Sequence, residues 1–351
     1  MHKIDAAPSN KLLSIEVARG IAAVIVVLYH ASRHFDKDIG FAAGKQIFQF
    51  GHAGVDFFFV ISGFIILFVH GGDLGRPDRL VHYSLRRFTR IYPIYWVILG
   101  LTIALALWPG RHALPSAFDL AWAALLLPTT ADPVVGVAWS LQHEIIFYVL
   151  FAVLILHRGT GMALLALWLG VILFSLFSGR TIAPTNFTSA FNLEFFLGMA
   201  VAQWLRNGTI PFARGVFLTG LTAFMAASGI EVLGYFDGYQ PWARLVYGVP
   251  SALMILGLVE MERKGNMRLP APLHGLGRAS YSIYLFHLTG IGISYKLWTA
   301  AGMPNWAPIW LGFGLIVIAG IGGGVIVSTI VEYPLMRWIR HRLRRVEGNK
   351  H

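Results

Sequence analysis

The sequence predicts an all-α protein, a polytopic transmembrane helix bundle of about ten spans. Two observations carry that reading. Hydrophobic residues make up 56% of the chain and charged ones only 13%, about half the roughly 25% of an average soluble domain. Apolar runs of roughly 17–25 residues also recur along the chain, each long enough to cross the hydrocarbon core. The stretches between them are too short to build a second, soluble domain.

The spans fall at approximately 14–34, 53–70, 91–108, 137–157, 161–178, 188–205, 213–235, 242–259, 279–298 and 307–332. The first reads as an uncleaved span. Arg19 interrupts its apolar run, and no small-x-small cleavage site precedes the charged stretch after His30. Segment 117–128 is short for a crossing and is expected to be re-entrant or interfacial.

Loop charge supports this count. With the N-terminus (Lys3, Lys11) inside, ten spans place 75–90, His157-Arg158, Arg206 with Arg214, "ERKGNMR" (262–268) and "RWIRHRLRR" (337–345) in the cytoplasm. An eleventh span would push the last two basic segments outside. The chain therefore divides into a cytoplasmic tail 1–13, a membrane domain 14–335 and a basic cytoplasmic tail 336–351. Topology accounts for the net charge of +11 without a nucleic-acid partner. The sequence contains no cysteine, which excludes disulfides, thiolate metal sites and a cysteinyl acyl-enzyme. No metal site, internal repeat or low-complexity tract is expected.

Charged groups inside spans are costly and mark cavities or pairs. Arg19 near the cytoplasmic side and His30 near the outer side are eleven residues apart. That is about 16.5 Å of helix and three turns plus roughly 20°, so both occupy one face. Asp56 and Glu144 fall in the outer parts of the second and fourth spans, at a depth similar to His30. Ser140, Glu144 and Tyr148 form a stripe at i, i+4, i+8, with His143 on the neighbouring face. Ser280, Tyr284 and His287 form another on the ninth span. Arg86, Arg87 and Arg90 gather at the cytoplasmic mouth of the third span, before Pro93 and a belt of Tyr92, Tyr95 and Trp96. Three guanidiniums in five residues suit a multiply charged phosphate ligand.

Each feature also has a bland reading. His30 faces headgroups, Arg19 snorkels, Asp56 caps a helix and the arginines only orient their span. Glu144 is then a hub for Ser140 and Tyr148. His287, Ser280, Tyr284, Ser62-Gly63 and Phe57–Phe59 then serve packing, while Glu332 and Pro334 end the last span.

Taken in order, the segments resemble the membrane acyltransferase-3 family, which O-acylates bacterial glycans and some antibiotics. Arg19 and His30 match its Arg-x10-His, and "GVDFFFVISGF" its second-span signature. "RRFTRIYPIYW" (86–96) and "WSLQHEIIFY" (139–148) match the next two, and "GRASYSIYLFH" (277–287) and "VEYP" (331–334) the C-terminal pair. The resemblance implies a multi-pass protein of the bacterial inner membrane with both termini cytoplasmic. It implies acyl-coenzyme A as co-substrate, most often acetyl-CoA, with no permanently bound cofactor, and a glycan or glycolipid hydroxyl as acceptor on the outer side. Longer members add an extracellular hydrolase-like domain. None follows here, so the chain is expected to complete transfer alone, as a homo-oligomer or with a polysaccharide-assembly partner.

Acyl transfer needs a base for the hydroxyl proton and stabilisation of the oxyanion. His30 is expected to be that base, or a transient acyl-imidazole, oriented by Asp56 or Glu144. Arg19, Arg86, Arg87 and Arg90 are expected to bind the donor, with Ser140, Tyr148 and His287 in support. Rival readings are a succinyl or longer-chain transferase, a non-catalytic subunit of a polysaccharide export complex, and a transporter or flippase. The last predicts repeat symmetry and matching broken spans, and the sequence shows neither.

Overall fold

The computed structural model describes residues 12–107, 115–129, 131–180, 185–267 and 269–348, with side chains through Ile339 and that of His341. Lys3, Lys11 and Arg268, used above to orient the spans, lie outside them. So do the side chains of Arg340 and Arg342–Arg345 in the basic tail.

Among the described residues the chain is helical, with no strand. The first helices are α1 (Leu13–Ile39), α2 (Ala42–Ile47), α3 (Gly54–His70), α4 (Leu80–Ala106) and α5 (Ala117–Ala124). Next come α6 (Ala138–Leu156), α7 (Arg158–Ser178), α8 (Thr185–Thr188), α9 (Asn192–Asn207) and α10 (Ala213–Val232). The series ends with α11 (Ala243–Arg263), α12 (Ala271–Ala300), α13 (Ile309–Val327) and α14 (Tyr333–Gly348). Among the described residues, eight stretches are long and apolar enough to cross a membrane: α1, α3 and α4 with their preceding turns, α6, α7, α10, α11, and α13 run on into α14. The sixth and ninth expected spans are α9, 16 residues long, and α12, 30 residues long and interrupted by polar groups. Both are packed inside the bundle.

Close backbone approach sets the helix pairs. A Cβ on Gly63 of α3 would lie 2.1 Å from the Phe195 carbonyl, and one on Gly198 of α9 would lie 2.0 Å from that of Val60. In a membrane, where lipid is as apolar as leucine, such small-residue seams let helices associate. Gly20 and Gly277 form a similar seam between α1 and α12. Further along, His30 meets His287, and Phe35 meets Tyr295 and Trp298. The two helices therefore run parallel, in a register that keeps Arg19 and His30 beside α12 along their whole separation.

Segment 117–128 holds too short a helix to cross the hydrocarbon core by itself. Its helix α5 has eight residues, about 12 Å. Ser116 and Asp119 cap its start with a reciprocal capping box. Tyr92, Tyr95 and Trp96 donate to the carbonyls of Leu125, Ala123 and Ala124 at 2.7–3.0 Å. The expected aromatic belt is thus a clamp that holds the end of α5 against the middle of α4.

Candidate active site

A cavity of about 760 Å³ opens among α1, α3, α4, α6 and α12 and is lined by Arg19, Arg86, Arg87 and Arg90. That size is within the range of small-molecule sites. Arg86 is exposed and Arg87 and Arg90 half-buried. Arg87 lies 5.7 Å from the Tyr148 ring and Arg90 4.9 Å from the Tyr281 ring. Arg90 also faces Glu332 at 3.6 Å. Glu332 accepts from Ser282 and Ser328, at 2.7 and 3.1 Å, where a π-helical turn (Ser328–Glu332) replaces the regular helix. It therefore holds Arg90, and it does not end the last span as expected, since the helical run continues through Pro334 to Ile339. Arg19 feels the charges of Arg90, Glu144 and Glu332 but makes no ion pair within 4 Å among the described residues.

The Ser140, Glu144, Tyr148 stripe lines the same cavity. Glu144 accepts from Ser62 at 2.8 Å and from the Tyr148 hydroxyl. This corrects the expected depth of Glu144, which sits with the arginines and not beside His30. The reason lies just before α6. Val135 and Val137 are already buried, and the Tyr284 hydroxyl reaches the Val137 carbonyl at 3.5 Å. The helix starts inside the bundle, so residues counted along it lie deeper than the hydropathy boundary suggests. Ser62 is likewise a hydrogen-bond donor as well as a neighbour of the Gly63 seam.

From the cavity wall, α12 leads toward His30. Tyr284 shares a 2.7 Å hydrogen bond with Ser140, and its ring centroid is 5.9 Å from that of His287. His287 Nδ1 is 2.7 Å from the Tyr284 carbonyl. A carbonyl accepts only, so Nδ1 carries the proton and Nε2 presents its lone pair. That Nε2 is buried without a partner among the described residues. The His30 ring lies 5.1 Å away. His30 and His287 thus sit beyond the cavity, linked to it through Tyr284.

Asp56 departs from its expected role. It does not orient His30. Both its oxygens accept from Arg244 Nη1, at 2.6 and 2.7 Å, and it is fully buried. Glu194, also fully buried, faces the same pair. His143 is held by Asn192 at 3.0 Å. Sequence reasoning passed over Arg244 and Glu194, although both are charges inside the expected spans 242–259 and 188–205. The cost of charge in a membrane, which singled out Asp56 and Glu144, applies to them equally. Ser62 carries no comparable signal. No cluster of three or more acidic or histidine side chains suited to a metal is present among the described residues.

Comparison with known proteins agrees with this architecture. A family model described as an acyltransferase domain matches residues 12–333. The exopolysaccharide production protein ExoZ of Rhizobium meliloti is 32% identical over 85% of this chain and 93% of its own length. The putative membrane-bound transacylase BcsY of Komagataeibacter xylinus is 25% identical over 84% of this chain and 76% of its own. The putative peptidoglycan O-acetyltransferase YrhL of Bacillus subtilis is 24% identical over 79% of this chain and 48% of its own. No solved structure matches. With the family's domain spanning nearly the whole helical bundle, this chain belongs to the acyltransferase-3 family and is a multi-pass membrane acyltransferase.

Proposed function

We propose that this acyltransferase moves an acyl group, acetyl in the first instance, from coenzyme A to a hydroxyl of a polysaccharide or glycolipid. The donor enters at the arginine end, which faces the cytoplasm of a bacterial inner membrane together with both termini. The acceptor waits at the histidine end. One observation carries this reading: the arginine-lined cavity ends at Tyr284, whose ring neighbours His287, which in turn neighbours His30. The names of the relatives, an exopolysaccharide production protein and a putative peptidoglycan O-acetyltransferase, support a glycan as acceptor.

In this mechanism Arg86, Arg87 and Arg90 hold the donor's phosphates through charge-assisted hydrogen bonds. Arg19 extends the positive lining inward. The separation from Arg19 to His30, about 16.5 Å along α1, is comparable to a pantetheine arm, so the thioester reaches the imidazoles. His30 takes the acceptor hydroxyl's proton as that oxygen attacks the thioester carbon. The C–S bond then breaks, the new C–O bond remains, and the proton passes from His30 to the departing sulfur. The Tyr284 hydroxyl, beside Ser140, faces this path; with Ser140 donating to it, its own proton is available to the developing oxyanion. The Tyr148 hydroxyl gives its single proton to Glu144 and supports the cavity wall instead. With no cysteine in the chain, a thioester acyl-enzyme is excluded, and a covalent route through His30 would form an acyl-imidazole.

The decisive experiment incubates the purified protein in sealed proteoliposomes with radiolabelled acetyl-CoA and a de-acetylated bacterial exopolysaccharide. Free coenzyme A and labelled glycan should appear together. Absence of coenzyme A release with acetyl- and succinyl-CoA, alongside movement of a labelled glycan across the bilayer, would instead make the protein a flippase.

A further inference from the structure

Beyond the histidines, the same end of the bundle carries a polar and aromatic platform that the acyl-transfer reading does not use. Tyr239 lies in the connector 233–242 between α10 and α11, half exposed at 49%. His52 lies against it, with ring centroids 4.8 Å apart and planes inclined by 32°. The Tyr239 hydroxyl bonds that of Tyr29, the residue preceding His30. Arg33, one turn beyond His30 on α1, donates to the Tyr239 hydroxyl at 3.0 Å. The guanidinium lies 5.5 and 5.9 Å from the centroids of the Tyr29 and Tyr239 rings. Arg33 is exposed and has no carboxylate partner among the described residues.

The connector that presents Tyr239 is anchored from beneath. Gly238 leaves no space for a side chain, since a Cβ there would lie 2.4 Å from a Glu231 carboxylate oxygen. Glu231 is held in turn by His52 at 2.9 Å and by the Tyr247 hydroxyl. The Gly238 carbonyl accepts from Arg244, which is the partner of Asp56. The backbone N–H of Tyr239 donates to Asp237 at 2.9 Å. An aromatic face held this firmly loses little entropy when a ligand stacks on it.

We propose that Tyr239 and Arg33 form the acceptor subsite: a sugar ring stacks on Tyr239 while one of its hydroxyl or carboxylate oxygens accepts from Arg33, which brings a neighbouring hydroxyl to His30. Guanidinium forks suit both kinds of oxygen, most strongly carboxylate. The subsite deepens the reading of the chain as a glycan acyltransferase and rests on it. It also assigns the Asp56–Arg244 pair a positioning role toward the acceptor.

The test titrates a β-1,4-linked glucose tetrasaccharide, and its counterpart ending in glucuronate, against protein in nanodiscs without donor. Wild type should bind at least one. Tyr239→Ala and Arg33→Ala should each weaken binding about tenfold and raise the acceptor KM to match, with the acyl-CoA KM within twofold of wild type. Tyr239→Trp, which restores a ring face, should recover most of the affinity. Preference for the glucuronate sugar would mark a carboxylate as the group held by Arg33, and equal binding would mark a hydroxyl. Absence of binding to either sugar, or alanine variants that bind within twofold of wild type, overturns the subsite. Because these titrations contain no acyl-CoA, a wild type that binds sugar but never releases coenzyme A would overturn the transfer reading instead.

Discussion

The two ends of the bundle treat charge in opposite ways. At the arginine end, Arg19, Arg86, Arg87 and Arg90 line one cavity, with Glu144 inside it and Glu332 against Arg90. Four guanidiniums thus meet two carboxylates, and positive charge is left over. Toward the histidine end, two buried carboxylates have fixed partners. Asp56 is closed by Arg244, and Glu231 by His52 and Tyr247, while His30 and His287 face each other with no carboxylate paired to either ring among the described residues. Surplus cation in a low-dielectric wall suits a polyanionic ligand. A pair of imidazoles without a fixed counter-charge suits passing a proton.

That contrast can be broken most sharply at His30. His30→Ala should lower acyl transfer by about 10²–10⁴-fold, the usual contribution of a positioned base. Its thermal unfolding in detergent should stay close to wild type. A variant with near wild-type turnover would remove the imidazoles from the chemistry. Asp56→Ala should do the reverse and act first on the fold. Leaving Arg244 buried and unpaired costs about 3–5 kcal/mol, readable as a large fall in melting temperature. Unchanged stability with lost turnover would return Asp56 to the catalytic group.

At the other end, Arg86→Ala combined with Arg90→Ala should raise the acyl-CoA KM by about one to two orders of magnitude, since each charge-assisted hydrogen bond is worth roughly 1.5–3 kcal/mol before solvent screening. Acceptor preference should not move. Donor titration by intrinsic fluorescence checks this, and a shift in acceptor selectivity instead would blur the two ends into one site. A smaller effect tests the wall between them. Ser140→Ala removes one partner of Tyr284 and should cost about 0.5–1.5 kcal/mol of stability, with a modest fall in turnover. A fall as large as that of His30→Ala would place Tyr284 at the reacting atoms. Gly63→Leu sharpens the packing side of the picture. Its side chain meets the Phe195 backbone, which has no room to yield, so α3 and α9 should separate and the protein should express poorly.

Much of this was written in local features of the chain. Composition and apolar run length alone predict a helical membrane bundle, because lipid satisfies no backbone group and forces each spanning segment to close its own hydrogen bonds. Helical periodicity places Arg19 and His30 on one face and aligns Ser140, Glu144 and Tyr148. Both properties belong to a single helix and need no neighbour. Which groups meet is different, because it depends on how deep each helix starts and which seam it packs along. The buried start of α6 drew Glu144 to the arginines, and the close packing of α1 on α12 brought His287 to His30. Asp56 found Arg244, 188 residues away in the chain. Partners at that separation leave no trace in spacing or hydropathy, and only the packed bundle, where an unpaired charge is too costly to keep, decides among them.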